Sequence, residues 1–195
     1  LGIAQTGSGK TASYVLPIVS STAITKGPKT RKVDVLVLVP TRELAQQVKE
    51  VFTVFEKGSL SPIKTIAVYG GVSINPQMKS LYGASILVAT PGRLLDLADS
   101  NAVHFNNVHK LVLDEADKLL NLGFKDEMNR IFSLLPAKRQ NLLFSATLNE
   151  KVEEINQILL KNPSVVNTTT KEDNLDKITQ LSYSISKEKK GPFLR

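Results

Sequence analysis

The 195 residues carry a formal net charge of +7 at a pI of about 9.5, and 42% of them are hydrophobic. That length and apolar share suit one ordinary domain with a little to spare, and they exclude both a disordered chain and, with such short apolar runs, a membrane-spanning helix. There is no cysteine and only His104 and His109, so a disulfide framework and a thiolate metal site are excluded, an intracellular setting with no membrane partner is expected, and the positive charge favours a polyanion.

Residues 1–3 read as the stub of an apolar strand running into Ala4-Gln5-Thr6-Gly7-Ser8-Gly9-Lys10-Thr11. This is a phosphate-binding loop pattern in which Ala4 stands where Gly is usual. Gly7 and Gly9 let the backbone curl until successive N–H groups face phosphate oxygens, and the helix that follows adds its positive end. Lys10 then reaches the β- and γ-phosphates as a point charge, and the Thr11 hydroxyl is placed to ligate Mg²⁺. Tyr14, Val15, Ile18 and Val19 recur at helical spacing, with Pro17 marking a kink or an early end. Polar residues 20–32 read as an exposed loop. Residues 33–39 form a β-branched and leucine run, the mark of a parallel strand buried on both faces. After Pro40, Leu44, Val48, Val51, Phe52 and Phe55 make the stripe of an amphipathic helix. A further strand, residues 63–69, stops at Gly70-Gly71.

The rhythm then repeats. Residues 85–89 are a short buried strand, and Thr90 caps a helix that has Pro91 at its first position and runs over 94–98. Residues 110–113 lead to Asp114-Glu115-Ala116-Asp117. A helix with Met128, Ile131, Leu134 and Leu135 on its stripe ends at Pro136. Residues 141–144 form a strand ending at Ser145-Ala146-Thr147, Val152, Ile155, Ile158 and Leu159 mark another helix, and Val165-Val166 closes the series. Alternating strands and helices predict an α/β fold, a predominantly parallel sheet with helices on both faces. Each motif follows a strand, so the chemistry should line one edge of the sheet. Polar residues 167–177 read as a linker. Beyond it Leu181, Tyr183 and Ile185 alternate as a strand would, and residues 187–195 look like a basic helix start.

A phosphate loop needs an acid to hold the metal and, for hydrolysis, a base. Asp114, delivered at the tip of an apolar strand, is placed to hold Mg²⁺ through water, and Glu115 to activate the attacking water. Taken together, the phosphate loop, Pro40-Thr41-Arg42-Glu43-Leu44-Ala45, Gly70-Gly71, Thr90-Pro91-Gly92-Arg93-Leu94, Asp114-Glu115-Ala116-Asp117 and Ser145-Ala146-Thr147 resemble the ordered motifs of a DEAD-box ATP-dependent RNA helicase. The resemblance runs from Ala4 to about Val166. It implies a RecA-like first domain over residues 1–166, ATP and Mg²⁺ as cofactors, and RNA as substrate. It further implies RNA contacts at Thr41, Arg42, Gly71, Thr90 and Arg93, and a hydrogen-bonded link among Asp117, Ser145 and Thr147 that couples the ATP site to domain closure. The family's adenine-recognition segment lies upstream of Ala4, and residues 178–195 would open a second RecA-like domain, so residues 1–195 alone are expected not to unwind RNA. An ATP-dependent RNA clamp, or another phosphate-loop translocase, stands as the alternative.

Overall fold

The computed structural model describes residues 1–5, 7–21, 32–58, 63–168 and 181–186. Among them the chain forms, in order, β1 (Gly2–Ile3), α1 (Lys10–Ser21), β2 (Val35–Leu38), α2 (Arg42–Glu56), β3 (Thr65–Val68), α3 (Ile74–Ser80), β4 (Ile86–Ala89), α4 (Pro91–Asp99), β5 (Lys110–Leu113), α5 (Ala116–Asn121), α6 (Lys125–Leu134), β6 (Gln140–Ser145), α7 (Glu150–Leu159) and β7 (Val166–Asn167). The strands join in one seven-stranded sheet of order β3-β4-β2-β5-β6-β1-β7, with every pair parallel.

The residue alternation within the strands sets the layers. Val35 and Val37 of β2, with Ile86, Val88 and Val112 beside them, face Tyr14, Val15 and Ile18 of α1 and Ala45, Val48 and Phe52 of α2. The intervening Leu36 and Leu38, with Leu87, Leu111 and Leu113, face the opposite layer, built from α4 to α7. Both faces are therefore covered, as the unbroken apolar runs predict.

Packing also explains the departures from expectation. Helix α1 passes through Pro17 and continues to Ser21, because buried Tyr14 and Val15 before the proline and Ile18 and Val19 after it hold both halves. At about 1.5–3 kcal/mol each, these burials outweigh a proline penalty of about 3 kcal/mol. Of the residues read on these two stripes, Leu135 and Leu159 are buried as expected, whereas Leu134 and Ile158 are exposed. At the end of α6 the chain turns extended at Leu135, which swings that side chain in. Helices α3 and α5 had no readable stripe: α3 buries no residue and α5 is six residues long. Residues 181–186 form no strand. Leu181, Tyr183 and Ile185 are all exposed, and an alternating pattern stabilises a strand only when one of its faces is buried. Strand β7 takes in Asn167, and the Thr168 N–H donates to the Ile3 carbonyl at 2.9 Å, so the expected linker begins inside the sheet's last pairing. Thr6, residues 22–31 of the expected loop, residues 169–177 of the linker, and residues 178–180 and 187–195 beyond it lie outside the described residues. No helix among the described residues is long and apolar enough to cross a membrane.

Candidate functional site

Because all strands are parallel, the segments that leave their carboxyl ends share one edge of the sheet. Sheet order divides them into two groups. Adjacent strands β5, β6 and β1 deliver Asp114 and Glu115, Ser145 to Thr147, and the phosphate loop; adjacent strands β3, β4 and β2 deliver Gly71, Thr90 with Arg93, and Thr41 with Arg42.

On the first side the loop curls as its glycines demand. Gly7 and Gly9 have φ of +83° and +88°, and a Cβ at either would meet nothing within 4 Å, so conformation and not crowding selects glycine there. The exposed residues Gln5 and Ser8 sit on the loop, the Ser8 N–H donating to the Gln5 carbonyl at 3.3 Å. Lys10 opens α1, and its Nζ donates to the Ala4 carbonyl at 2.6 Å. The Ala4 N–H in turn donates to the Ser145 carbonyl at 3.1 Å. Ser145 Oγ donates to the Thr147 carbonyl at 2.7 Å, and Thr147 Oγ1 donates to Asp117 Oδ2 at 3.1 Å. A continuous polar path therefore runs from the phosphate loop across β6 to the end of Asp114-Glu115-Ala116-Asp117.

Asp114 is buried, and burial pushes its carboxyl above the usual carboxylate range against the opposing pull of the Tyr14 hydroxyl and the Glu115 N–H. Tyr14 Oη donates to Asp114 Oδ2 at 2.8 Å, and the Glu115 N–H donates to Asp114 Oδ1 at 2.9 Å. Burial first, and then the adjacent Asp114 carboxylate, push the Tyr14 phenol far above its ordinary value. Glu115 itself sits in the left-handed region, at φ 51° and ψ 51°, a conformation that costs a non-glycine residue about 1–3 kcal/mol and collects at functional sites. Its carboxylate pairs with Lys118 Nζ at 3.0 Å. A cavity of about 420 Å³ lies among Gly7, Gly9, Lys10, Thr11, Asp114 and Glu115, closed from the other side by Leu44, Gln47 and Val51 of α2.

On the second side the contacts are more local. Thr41 is the N-cap of α2, its Oγ1 accepting from the Leu44 N–H at 3.2 Å. Arg42 is exposed and pairs with Glu43 at 2.6 Å, and this partner raises its guanidinium above the ordinary value. Gly71 has φ +80°, and a Cβ there would lie 3.8 Å from Arg42 Nη1, so the two are neighbours. Thr90 heads α4 from the expected cap position, but its side chain makes no cap bond. Arg93 is turned inward, 9% exposed. Its Nη2 donates to the Val72 carbonyl at 2.8 Å and its Nε to Asp96 at 3.3 Å, while Nη1 is buried without a partner.

Three residues of this edge escaped the sequence reading. Tyr14 was legible only as a stripe residue, although a phenol among valines and isoleucines needs a partner when buried. Gln47 and Lys118 carry no local signal, since each looks like one more polar residue on a helix.

The arrangement can bind a polyphosphate and present a carboxylate pair to it. Among the described residues no group of three or more His, Cys, Asp or Glu could hold a metal. A cation at Thr11 and Asp114 would meet few protein oxygens and rely on phosphate and water, which is the coordination habit of Mg²⁺.

A family model described as DEAD/DEAH box helicase matches residues 1–155. The chain belongs to that family. It is 43% identical over 178 residues to the ATP-dependent RNA helicase DeaD of Buchnera aphidicola, covering 89% of this chain and 29% of that protein. It is 45% identical over 167 residues to the DEAD-box ATP-dependent RNA helicase 20 of Arabidopsis thaliana, covering 84% and 32% respectively. The chain thus spans about a third of the length of these curated relatives. The crystal structure of a DEAD box protein from the hyperthermophile Methanococcus jannaschii superposes with a TM-score of 0.78 at 33% identity, over 86% of this chain and 44% of that one. In this DEAD/DEAH box chain the four residues that spell the family's signature are Asp114 to Asp117, and the fold is the RecA-like α/β sheet of its structural neighbours.

Proposed function

We propose that residues 1–166 form the first RecA-like domain of a DEAD-box ATP-dependent RNA helicase, joined through residues 167–177 to a second domain opening at residue 178. The observation that carries this reading is the polar path from the phosphate loop through Ser145 and Thr147 to Asp117, which ties the nucleotide cavity to the motif beside it. The relatives' names, ATP-dependent RNA helicases, support it. Ala4 to Thr11 hold the phosphates of ATP, with Lys10 as the point charge. Thr11 and Asp114 hold Mg²⁺, whose chemistry when bound is charge neutralisation on the β- and γ-phosphates. Glu115 takes the proton of the attacking water. Asp117, Ser145 and Thr147 carry the state of the nucleotide to the domain interface.

Thr41, Arg42, Gly71, Thr90 and Arg93 hold RNA by its backbone, through helix N-terminal amides and guanidinium, so binding is independent of base sequence. Arg42 contacts phosphate directly, and Arg93 acts from within by fixing the Gly71-Val72 turn. The test is RNA-stimulated phosphate release and separation of a short RNA duplex by the two-domain protein, with Lys10→Ala as control. Both activities are expected in the wild type and neither in the variant; phosphate release indifferent to RNA overturns the reading. Residues 1–195 alone are expected to bind nucleotide and RNA weakly and to separate no strands.

One observation favours a second reading, an ATP-dependent RNA clamp with slow turnover. The Glu115 carboxylate is ion-paired with Lys118, a contact it must leave to turn onto a water in the cavity. Tight ATP-dependent RNA retention without strand separation would select the clamp.

A further inference from the structure

Tyr14 stands three residues after Thr11 on α1, on the same helical face. It is 1% exposed, its ring seated against Phe144 at a centroid distance of 5.1 Å and Phe52 at 6.4 Å. The phenol has one proton, and that proton goes to Asp114 Oδ2, 2.8 Å away. Asp114 is held at its other oxygen by the Glu115 N–H, so the carboxylate is fixed at both ends.

We propose that Tyr14 is a positioning residue for the metal site: its hydroxyl fixes the orientation of the Asp114 carboxylate, one of the two groups assigned to Mg²⁺, from the helix face that also carries Thr11, the other. This rests on the ATP-Mg²⁺ reading above. Phenylalanine at this position would keep the ring between Phe52 and Phe144 and lose the hydrogen bond to Asp114. Groups that orient metal ligands in this way typically change metal affinity about 10- to 100-fold when removed.

The experiment uses the whole chain, wild type and Tyr14→Phe, loaded with ATP. Free Mn²⁺ is followed by its electron paramagnetic resonance signal, and ATP affinity is measured separately in EDTA. The expected result is a Mn²⁺ half-saturation concentration raised about tenfold or more, with metal-free ATP affinity and melting temperature close to wild type. An unchanged Mn²⁺ midpoint overturns the proposal. So does a raised midpoint accompanied by an equal loss of metal-free ATP affinity, which would make Tyr14 a support of the loop and not of the ligands. A wild-type chain that binds no ATP in either buffer removes the ATP-site reading, and this proposal with it. A second measurement leaves the hydroxyl in place: 3-fluorotyrosine at position 14 must shift its ¹⁹F resonance when Mg²⁺ is added to the ATP-loaded chain. A resonance that does not move overturns the proposal even if the Phe variant fails to fold.

Discussion

The two halves of the sheet's working edge are built differently. Around the phosphate loop, groups from separate strands and helices bind one another: Ala4 to Ser145, Thr147 to Asp117, Tyr14 to Asp114. Around Arg42 the candidate side chains mostly engage their own helix, Thr41 with Leu44, Arg42 with Glu43, Arg93 with Asp96, although Arg93 also reaches Val72, and Gln46 and Gln77 behind them both bond Tyr69. The first pattern suits chemistry, which needs donors and charges fixed before the reaction and held by supporting contacts. The second suits a ligand whose backbone is regular but whose bases vary, where an exposed guanidinium and free helix amides suffice. One edge thus carries a half whose candidate side chains are tied across elements and a half whose candidate side chains bond mostly within their own helix.

Substitutions can break this contrast, beginning where the effect is greatest. Glu115→Gln in the two-domain protein should slow ATP turnover about 10²- to 10⁴-fold while ATP and RNA affinities stay near wild type; steady-state phosphate release and equilibrium binding measure the two. Phe52→Ala strikes both halves, because Phe52 of α2 packs on the Tyr14 ring of α1. It should cost about 3–5 kcal/mol of stability in denaturant unfolding, and a smaller loss would mean that α1 and α2 are held independently. Lys10→Ala should weaken ATP binding about 100-fold, the worth of a strong charged hydrogen bond, without altering RNA affinity measured in the absence of nucleotide. Thr41→Ala removes the N-cap of α2 and should cost about 1 kcal/mol, seen as a lower unfolding midpoint with ATP affinity unchanged. Arg42→Ala should be the mildest. The slope of log affinity for single-stranded RNA against log salt should fall by about 0.7, one phosphate contact, with thermal stability unmoved.

Much of the fold was legible because parallel sheets advertise themselves. Val35 to Leu38 cannot be anything but a two-sided strand once Pro40 and the amphipathic α2 follow it, and motifs placed directly after strands must gather at one edge. What escaped depends on partners distant in sequence. Pro17 reads locally as a helix breaker, yet packing on β2, β4 and Phe52 overrides it. The sequence places Leu134 with Leu135 and Ile158 with Leu159 on one stripe, and only the extended turn at Leu135 and the packing of neighbouring elements separate the buried member of each pair from the exposed one. The Tyr14 to Asp114 bond spans 100 residues, and no window on the sequence joins them. The inward turn of Arg93 was illegible for a simpler reason: the carbonyl it holds, at Val72, belongs to main chain and leaves no trace in side-chain identity.

The position of β1 between β6 and β7 bears on how the protein comes into being. Gly2 pairs with Phe144 on one side and Val166 on the other. The strand that launches the phosphate loop therefore cannot be seated until nearly the whole domain has emerged from the ribosome, whereas β2, β3 and β4 can pair far earlier in synthesis. Loop-closure entropy compounds the delay. Nascent chains stalled at successive lengths should accordingly gain their Arg42 surface before the strand that carries the phosphate loop is seated.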